Sequence, residues 1–488
     1  MHILQTETLI IGAGPAGMAT AMELSKKKKD FLLVEKDETV GGLSKTYTFK
    51  ESDGSVFYTD NGPHRFFSKN PYLYEFIGDL LKEDWIKVRR STKQYIDGKY
   101  YDYPINVIQA LKNIGIIQAV RILIDYITAK INYTFKPIRN FEDYVFSNFG
   151  QTLGQFNMIN YSEKIWGIDA KSINQDWGIQ RIKGLNLRVV AIDSLKTLFN
   201  KKKKNNAKSL VDEFYYPQKG TGQIYEAIKS KIENDGYKVL LRTEPTEVQL
   251  TKNGFITNLI NKDGQTYEIH SKYLVESVPI PSFIKIIKDP ENNHVLMATS
   301  KLKYRSQVYL FITLNKSSVS CNQWIYFPSK KVPMARVSEM RNFSSYMSPE
   351  GKTSLFVEFF CFEGDPIWNM SKENLVELIL PCMKEANLFE RRDIREVYRI
   401  QSKNTYPIYD LNYKQYLDVA KDYLNTIKNL FYIGRPGRFR YNNQDHSLEM
   451  GILAAKSIIE GKLYDIESVG QEKDYFEKGA NLYKKSSK

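Results

Sequence analysis

The stretch from Thr8 to Glu35 constrains this chain most. An apolar run, Leu9-Ile10-Ile11, leads into Gly12-Ala13-Gly14-Pro15-Ala16-Gly17, then Met18–Leu24, then a second apolar run, Phe31–Val34, ending on Glu35. Strand, glycine turn, helix and strand in this order predict a βαβ unit carrying the dinucleotide fingerprint. Gly12 makes the tight turn, Gly14 lets the backbone approach a pyrophosphate, and Gly17 lets the helix pack close to the strand. The helix N-terminus offers unpaired N–H groups and partial positive charge to phosphate. Gly12, Gly14, Pro15, Ala16 and Gly17 are therefore candidate cofactor contacts. Glu35, with Lys36 beside it, stands about 20 residues after the first glycine, the spacing at which an acid reaches a ribose hydroxyl. A carboxylate there repels a 2′-phosphate, so the expected adenosine carries none.

Gly41-Gly42-Leu43-Ser44 follows soon after the acid. With it the pattern resembles FAD enzymes of the glutathione-reductase type, which adds Gly42 and Leu43 to the cofactor candidates. A chain of 488 residues predicts two to three domains at about 150 residues each, and 42% hydrophobic residues supply an ordinary globular core. Cys321, Cys361 and Cys382 are isolated, so neither a disulfide framework nor a zinc site is expected, and a reducing cytoplasm fits. The N-terminus enters its first strand at once, with no secretory signal expected. The net charge of +14 gathers in Lys26–Lys29, Lys201–Lys204 and the C-terminal lysines. Such runs read as solvated faces, and their global effect is to attract anionic substrates or anionic membrane surfaces.

Further along, Phe57–Thr59 reads as a short strand before Gly62-Pro63-His64, and Tyr95–Tyr103 as a hairpin around Asp97-Gly98. From Ile105 to about Phe199 apolar residues recur at helical spacing. Within it, Ile105–Tyr133 is broken by Lys112, Arg121, Asp125 and Lys130, short of the roughly 18 uncharged apolar residues a spanning helix needs. An amphipathic helix packed on the core is expected, with peripheral membrane contact the lesser reading. Lys201–Lys208 reads as an exposed loop. Strands are expected at Val239–Leu241, Phe255–Thr257, Tyr273–Val278, Val308–Thr313, Gln323–Phe327, Leu355–Phe360 and Phe431–Ile433, and helices at Gln223–Asn234, Lys372–Ala386 and Ser447–Ile459. The predicted class is α/β: a discontinuous Rossmann-type FAD-binding domain from residues 1–95, 216–300 and 400–462, a helical substrate domain at 96–215, a sheet-rich substrate domain at 301–399 and a tail at 463–488.

Four further stretches sharpen the reading. They are Gly62-Pro63-His64-Arg65-Phe66, Tyr161-Ser162-Glu163-Lys164-Ile165-Trp166-Gly167 with Gln180-Arg181-Ile182, Ala335-Arg336-Val337-Ser338-Glu339, and Gly434-Arg435 with Tyr441 and His446. In this order they resemble the UDP-galactopyranose mutase family, patchily from the N-terminus to about Ile459. The resemblance implies that reduced FAD, for which NAD(P)H is a candidate reductant, attacks the anomeric carbon of a nucleotide sugar through N5. The nucleoside diphosphate leaves, the ring opens and recloses at another hydroxyl, and pyranose and furanose forms interconvert without net oxidation, as cell-surface polysaccharide biosynthesis requires. Expelling a diphosphate calls for cations, and holding base and sugar calls for planar groups. The resemblance assigns Arg336 and Arg435 to the pyrophosphate and Arg181 to the substrate's vicinity. It gives Tyr161 the uracil, and Trp166, Tyr406 and Tyr441 the sugar and diphosphate. It places His64, with Gly62 and Gly434, beside the flavin. The family's aromatic four positions before the uracil tyrosine is Asn157 here, next to Phe156, and its Tyr-Asp pair in the last motif is Asn442-Asn443. The carry-over is therefore to a nucleotide-linked sugar rather than to a named base or sugar.

Two other readings compete. A true FAD-dependent oxidoreductase of the amine oxidase, protoporphyrinogen oxidase or desaturase type would share the glycine motifs but would want an apolar tunnel or aromatic cage, against which the arginines argue. A polyanion-binding protein using its lysine runs would leave the fingerprint without a purpose, and the patterned face of a nucleic-acid module is missing. No metal site is expected, and the sequence does not fix the oligomeric state.

Overall fold

The first strand, β1 (His2–Ile11), pairs in parallel with β2 (Phe31–Val34) on one side and with β3 (Thr266–Glu276) on the other, deep inside an eight-stranded sheet. The computed structural model describes residues 2–103, 113, 115–182 and 213–470. Successive side chains of a strand point to opposite faces. Ile10 accordingly belongs to the core shared by α1 (Pro15–Lys26), the helix Gly222–Asn234 and the closing helix Gln444–Glu460, whereas Leu9 and Ile11 belong to the core on the other face, with Leu274, Ile280, Phe283 and Leu417. Both faces being covered is what permits an uninterrupted Leu-Ile-Ile run.

The outer strands Lys238–Leu240, Thr243–Thr251, Gly254–Asn261 and Leu430–Tyr432 complete this sheet with the two-residue Ile287–Lys288. Residues near 240, 275 and 431 thus return to the strand that began at residue 2, as a discontinuous nucleotide-binding fold requires. The closing helix lies so near α1 that a Cβ on Gly451 would stand 2.1 Å from the Ala16 carbonyl oxygen. Thr20 Oγ1 donates to the Gly451 carbonyl at 3.0 Å across the same contact.

The insertion is helical, with α2 (Ile116–Phe135), a helix at Phe141–Phe149, α3 (Asn160–Trp166) and a helix at Gln175–Ile182. Core packing of α2 holds on one side only. Tyr126 and Ala129 are buried, while Ile124, Ile127 and Ile131 on another side are exposed. No helix among the described residues is long and apolar enough to cross a membrane. The expected loop Lys201–Lys208 and the tail beyond Gly470 lie outside the described residues.

The second sheet has seven strands in the order β7 (Ile394–Pro407), β4 (Tyr304–Leu314), β6 (Thr353–Cys361), β5 (Arg336–Glu339), then Trp324–Tyr326, Thr92–Ile96 and Lys99–Asp102. The Asp97-Gly98 turn forms with both residues at positive φ, the geometry a two-residue hairpin needs. That hairpin belongs to the second sheet because Trp324–Tyr326 pairs with Thr92–Gln94, and β7 belongs there because it pairs along β4. Strands starting at Thr92 and ending at Pro407 therefore cross the boundaries expected at 95 and 400. The helix Lys372–Glu385 buries Leu375 and Ile379 in this sheet's core.

Candidate functional site

The glycine loop is the first wall of the site. Gly12 sits at φ +96°, and a Cβ on Gly17 would fall 1.9 Å from the Gly12 carbonyl oxygen, so turn and helix meet only because both residues are glycine. Gly14 is the N-cap of α1; it has no side chain to cap with, Pro15 follows it, and no acid occupies the first turn. The N–H groups there are left for an anion. Gly42, at φ +52°, brings its backbone against Gly14, and Gly41 N–H donates to the Ala13 carbonyl at 2.8 Å, which folds the Gly42–Leu43 turn over the loop. Glu35 is buried and accepts from the Ala13 N–H at 2.7 Å and the Asp37 N–H at 3.0 Å. Burial pushes its carboxyl up, opposed by those two backbone donors. Lys36 is exposed.

Gly62 and His64 connect this loop to the arginines. Gly62, at φ +89°, turns the chain so that the His64 ring lies over it, and the ring is hydrogen-bonded to the backbone of Leu43 and Asn61. Burial first, then Arg435 and Arg336, bring the His64 imidazole down to about 3, so it is neutral at physiological pH. Gly434 lies against Ala16, its Cβ position 3.2 Å from that of the alanine, and sets Arg435 next to the glycine loop.

Arg435 is held by carbonyls rather than by an acid. Its Nε and Nη2 donate to Asn442 O at 3.0 and 2.5 Å, and Nη1 to Thr405 O at 3.3 Å. The guanidinium lies 5.0 Å from the Tyr406 ring and 5.3 Å from that of Tyr441, which stack on each other at 5.5 Å. Its charge is thus left unneutralised by these contacts and faces aromatic π-surface.

Arg336 is held differently. In the second sheet Tyr326, Arg336, Glu358 and Tyr309 stand opposite one another on four adjacent strands. Side chains on one such rung share a face. Arg336 grips Glu358 through Nε at 2.5 Å and Nη2 at 2.8 Å, and lies 5.7 Å from the Tyr326 ring. Burial opposes its charge, and Glu358 with Tyr326 and Tyr161 more than offsets that, so it stays a cation. The planar guanidinium keeps its Nη1 edge turned away from the carboxylate.

The Tyr161–Gly167 stretch forms α3 and its C-terminal turn, and its residue types are explained by what pins it. Lys164 donates to Phe327 O at 2.6 Å and Met334 O at 3.0 Å, on the connection leading to Arg336, and burial brings its ammonium down to about 7. Glu163 accepts from the Ala170 N–H at 2.9 Å. Gly167, at φ +67°, leaves room for the Arg305 guanidinium, which would lie 2.5 Å from any Cβ there and donates to Ile165 O at 2.9 Å. Tyr161 meets Tyr326 edge-on at 5.7 Å, and burial with Tyr326 pushes its phenol well up. Trp166 is buried edge-on to Trp177, Tyr406 and Tyr441, and its indole Nε1 has no hydrogen-bond partner among the described residues.

The fold therefore brings His64, Tyr161, Trp166, Arg336, Tyr406, Arg435 and Tyr441 together beside the glycine loop. Arg181 lies on the helix Gln175–Ile182, but its side chain is outside the described residues. His446 caps the closing helix, its Nδ1 accepting from the Asn443 N–H at 3.3 Å. Sequence reasoning passed over Tyr326, Glu358, Arg305 and Trp177. It also passed over Asp60, whose buried carboxylate accepts from Thr46, Tyr216 and Thr221 and ties the chain after Gly42 to the loop before Gly222. Among the described residues no group of three or more His, Cys, Asp or Glu could hold a metal.

Known proteins share this fold. The profile of the family described as flavin containing amine oxidoreductase matches residues 15–455. The crystal structure of reduced UDP-galactopyranose mutase superposes with a TM-score of 0.79 at 23% identity, over 96% of this chain and 98% of that one. A redesigned putrescine oxidase superposes at 0.62 with 13% identity, over 94% and 100%. UDP-galactopyranose mutase of Mycoplasma genitalium is 27% identical over 191 residues, 38% of this chain and 45% of that protein, so the match spans less than half of the curated relative. At these identities the superpositions establish the fold. The profile, spanning glycine loop to closing helix, establishes that the chain belongs to the flavin containing amine oxidoreductase family, flavin-dependent enzymes whose cofactor is of the FAD type.

Proposed function

We propose that this protein is a flavin-dependent nucleotide-sugar mutase of the UDP-galactopyranose mutase kind, interconverting the pyranose and furanose forms of a sugar linked to a nucleoside diphosphate. One observation carries the reading: two guanidinium groups, Arg336 and Arg435, set among tyrosines next to a neutral His64 and the glycine loop. Two cations suit a diphosphate as it leaves carbon. They oppose a protonated amine, the substrate an amine oxidase must admit. The tyrosines supply flat faces for base and sugar.

The residues fit FAD. The bare N-terminus of α1 suits the pyrophosphate, the Glu35 carboxylate suits a ribose, and Gly42–Leu43, Gly62, His64 and Gly434 surround the path between glycine loop and arginines. Bound and reduced, FAD supplies the nucleophile the anomeric carbon requires. Arg435 and Arg336 bind the diphosphate and take up its growing negative charge. Glu358 fixes the plane of Arg336, so that its exposed edge is preorganised rather than ordered at each turnover. Tyr161 and Tyr326 stack the base, Tyr406 and Tyr441 orient the diphosphate over Arg435, and neutral His64 holds the Gly62 turn without adding a competing charge.

The test is anaerobic. Purified enzyme, oxidised or reduced by dithionite, is given UDP-galactopyranose and a panel of other nucleotide sugars, and product is followed by NMR and flavin by absorbance. Ring-contracted product from reduced enzyme only, with no net flavin oxidation, is the expected result. Should reduced enzyme leave every nucleotide sugar untouched while its flavin passes electrons to an acceptor, the proposal fails.

A further inference from the structure

The helix α2 leaves bare a face that ordinary folding would cover. Ile117, Val120, Ile124, Ile127, Ile131 and Phe135 recur at spacings of three and four, which places them on one stripe of a helix. All six are at least half exposed, and Ile117 and Phe135 are exposed to 88%. A helix of 20 residues is about 30 Å long, and a stripe along it amounts to several hundred Å², beyond what a monomer ordinarily leaves bare.

The helix is held rigidly by its other side, so the stripe is not the by-product of a loose element. Tyr126 and Ala129 are buried against the rest of the insertion. Tyr133 OH donates to Asp143 at 2.9 Å, and Asp125 accepts from the Thr152 N–H at 3.2 Å. Gly150, at φ +77°, admits the α2 backbone so closely that a Cβ would meet Tyr126 N at 2.9 Å.

Charge selects the occupant. Asp125 is the one acid of α2, and it is turned into the bond with Thr152. Arg121 and Lys130 lie on the two flanks of the apolar stripe, Arg139 follows its end beyond Lys136, which is paired with Asp143 at 2.8 Å, and the whole chain carries +14. An apolar stripe bordered by cations, too polar overall to span, is the pattern of a helix lying in the plane of an anionic bilayer, its apolar side chains among the acyl chains and its cations at the headgroups.

We infer that α2 docks this enzyme on the surface of an anionic membrane, through the stripe from Ile117 to Phe135. The inference stands apart from the mutase reading, since it uses none of the residues of that site. The experiment is cosedimentation of the holoenzyme with phosphatidylcholine vesicles containing or lacking phosphatidylglycerol. It is run on the wild type, on Ile124→Glu/Ile127→Glu, and on Gln118→Glu/Asn132→Glu, which adds the same charge away from the apolar stripe. Flavin content and melting temperature show that each variant is folded. The wild type should pellet with the anionic vesicles and be released by high salt. The stripe variant should lose at least tenfold in partitioning, and the polar-side variant should lose less. Wild type that stays in the supernatant overturns the inference, as does a stripe variant that pellets equally. Light scattering that shows a wild-type dimer dissolved into monomers by Ile124→Glu/Ile127→Glu, with no vesicle binding, would give the face to a second copy and overturn it too.

Discussion

Arg336 and Glu358 allow the arginine reading to be separated from mere loss of the fold. Replacing Arg336 by alanine removes the proposed diphosphate contact, but it also strands Glu358, which is 1% exposed and keeps no other cation among its hydrogen-bond partners. A buried carboxylate left unpaired costs about 3–5 kcal/mol. At roughly 2.1 cal/mol/K per residue, unfolding this chain of 488 residues carries an entropy on the order of 1 kcal/mol/K, so Tm should fall by about 3–5 °C. An inactive Arg336→Ala protein is therefore ambiguous by itself. In Arg336→Ala/Glu358→Gln the stranded charge is gone, and scanning fluorimetry should return most of the lost Tm. Turnover of the nucleotide sugar should stay down by about 10²–10³, the usual effect of removing one preorganised donor to a developing charge. Flavin content should match wild type in both proteins. A double variant with restored Tm and wild-type turnover would refute the assignment of Arg336 to the substrate.

Other consequences are as direct. Glu35→Ala leaves the Ala13 and Asp37 N–H groups without their acceptor, at about 1–3 kcal/mol for a buried donor, and should lower the flavin-to-protein absorbance ratio; an unchanged ratio removes Glu35 from the cofactor site. Gly451→Ala places a methyl group 2.1 Å from Ala16 O and should lower the urea midpoint by the equivalent of about 1–3 kcal/mol, whereas an unchanged midpoint would mean that α1 and the closing helix are not in contact. His64 titrates near 3 in the fold, below its ordinary value near 6.5, so the unfolded chain takes up a proton that the folded chain refuses. Stability should therefore fall as pH drops from about 6.5, with a slope of at most about 1.4 kcal/mol per pH unit from this group. His64→Gln should flatten the Tm profile there, and superimposable profiles would contradict the burial of a neutral ring.

What the sequence disclosed and what it withheld differ by the range of the constraint. Gly12 and Gly17 are legible because one tight turn makes them meet, the Cβ position of Gly17 lying 1.9 Å from Gly12 O, and the Asp97-Gly98 turn is legible because its backbone needs positive φ at both positions. The arginines and tyrosines of the site were reached through motifs. Their supports were not, since Glu358 is the partner of Arg336 only by the register of β5 against β6, and Arg305 belongs with Gly167 only once β4 runs beneath the end of α3. β5 ends at Glu339 and β6 begins at Thr353, so no tight turn in the sequence sets their register. The exposure of the α2 stripe was not legible for a related reason: helical periodicity reveals that a face is apolar, not whether anything covers it.

The two arginines show why such supports matter to the chemistry. Arg336 carries a carboxylate and Arg435 carries only carbonyl oxygens, so the pair does not present two equal charges to the proposed diphosphate. Arg336, half of its fork already occupied, is a directional donor with little net charge to offer. Arg435, stacked against two tyrosines and opposed by no acid among its hydrogen-bond partners, is the stronger centre of positive potential. Charge accumulating on a departing diphosphate should therefore be felt more at Arg435, and position more at Arg336. Arg435→Gln removes the charge while keeping donors for the carbonyl oxygens, and Arg336→Lys keeps a point charge while losing the fork on Glu358. The first should lower kcat with little change in KM, and the second should raise KM more than it lowers kcat. The reverse assignment of the two effects would show that the carboxylate does not divide the labour between them.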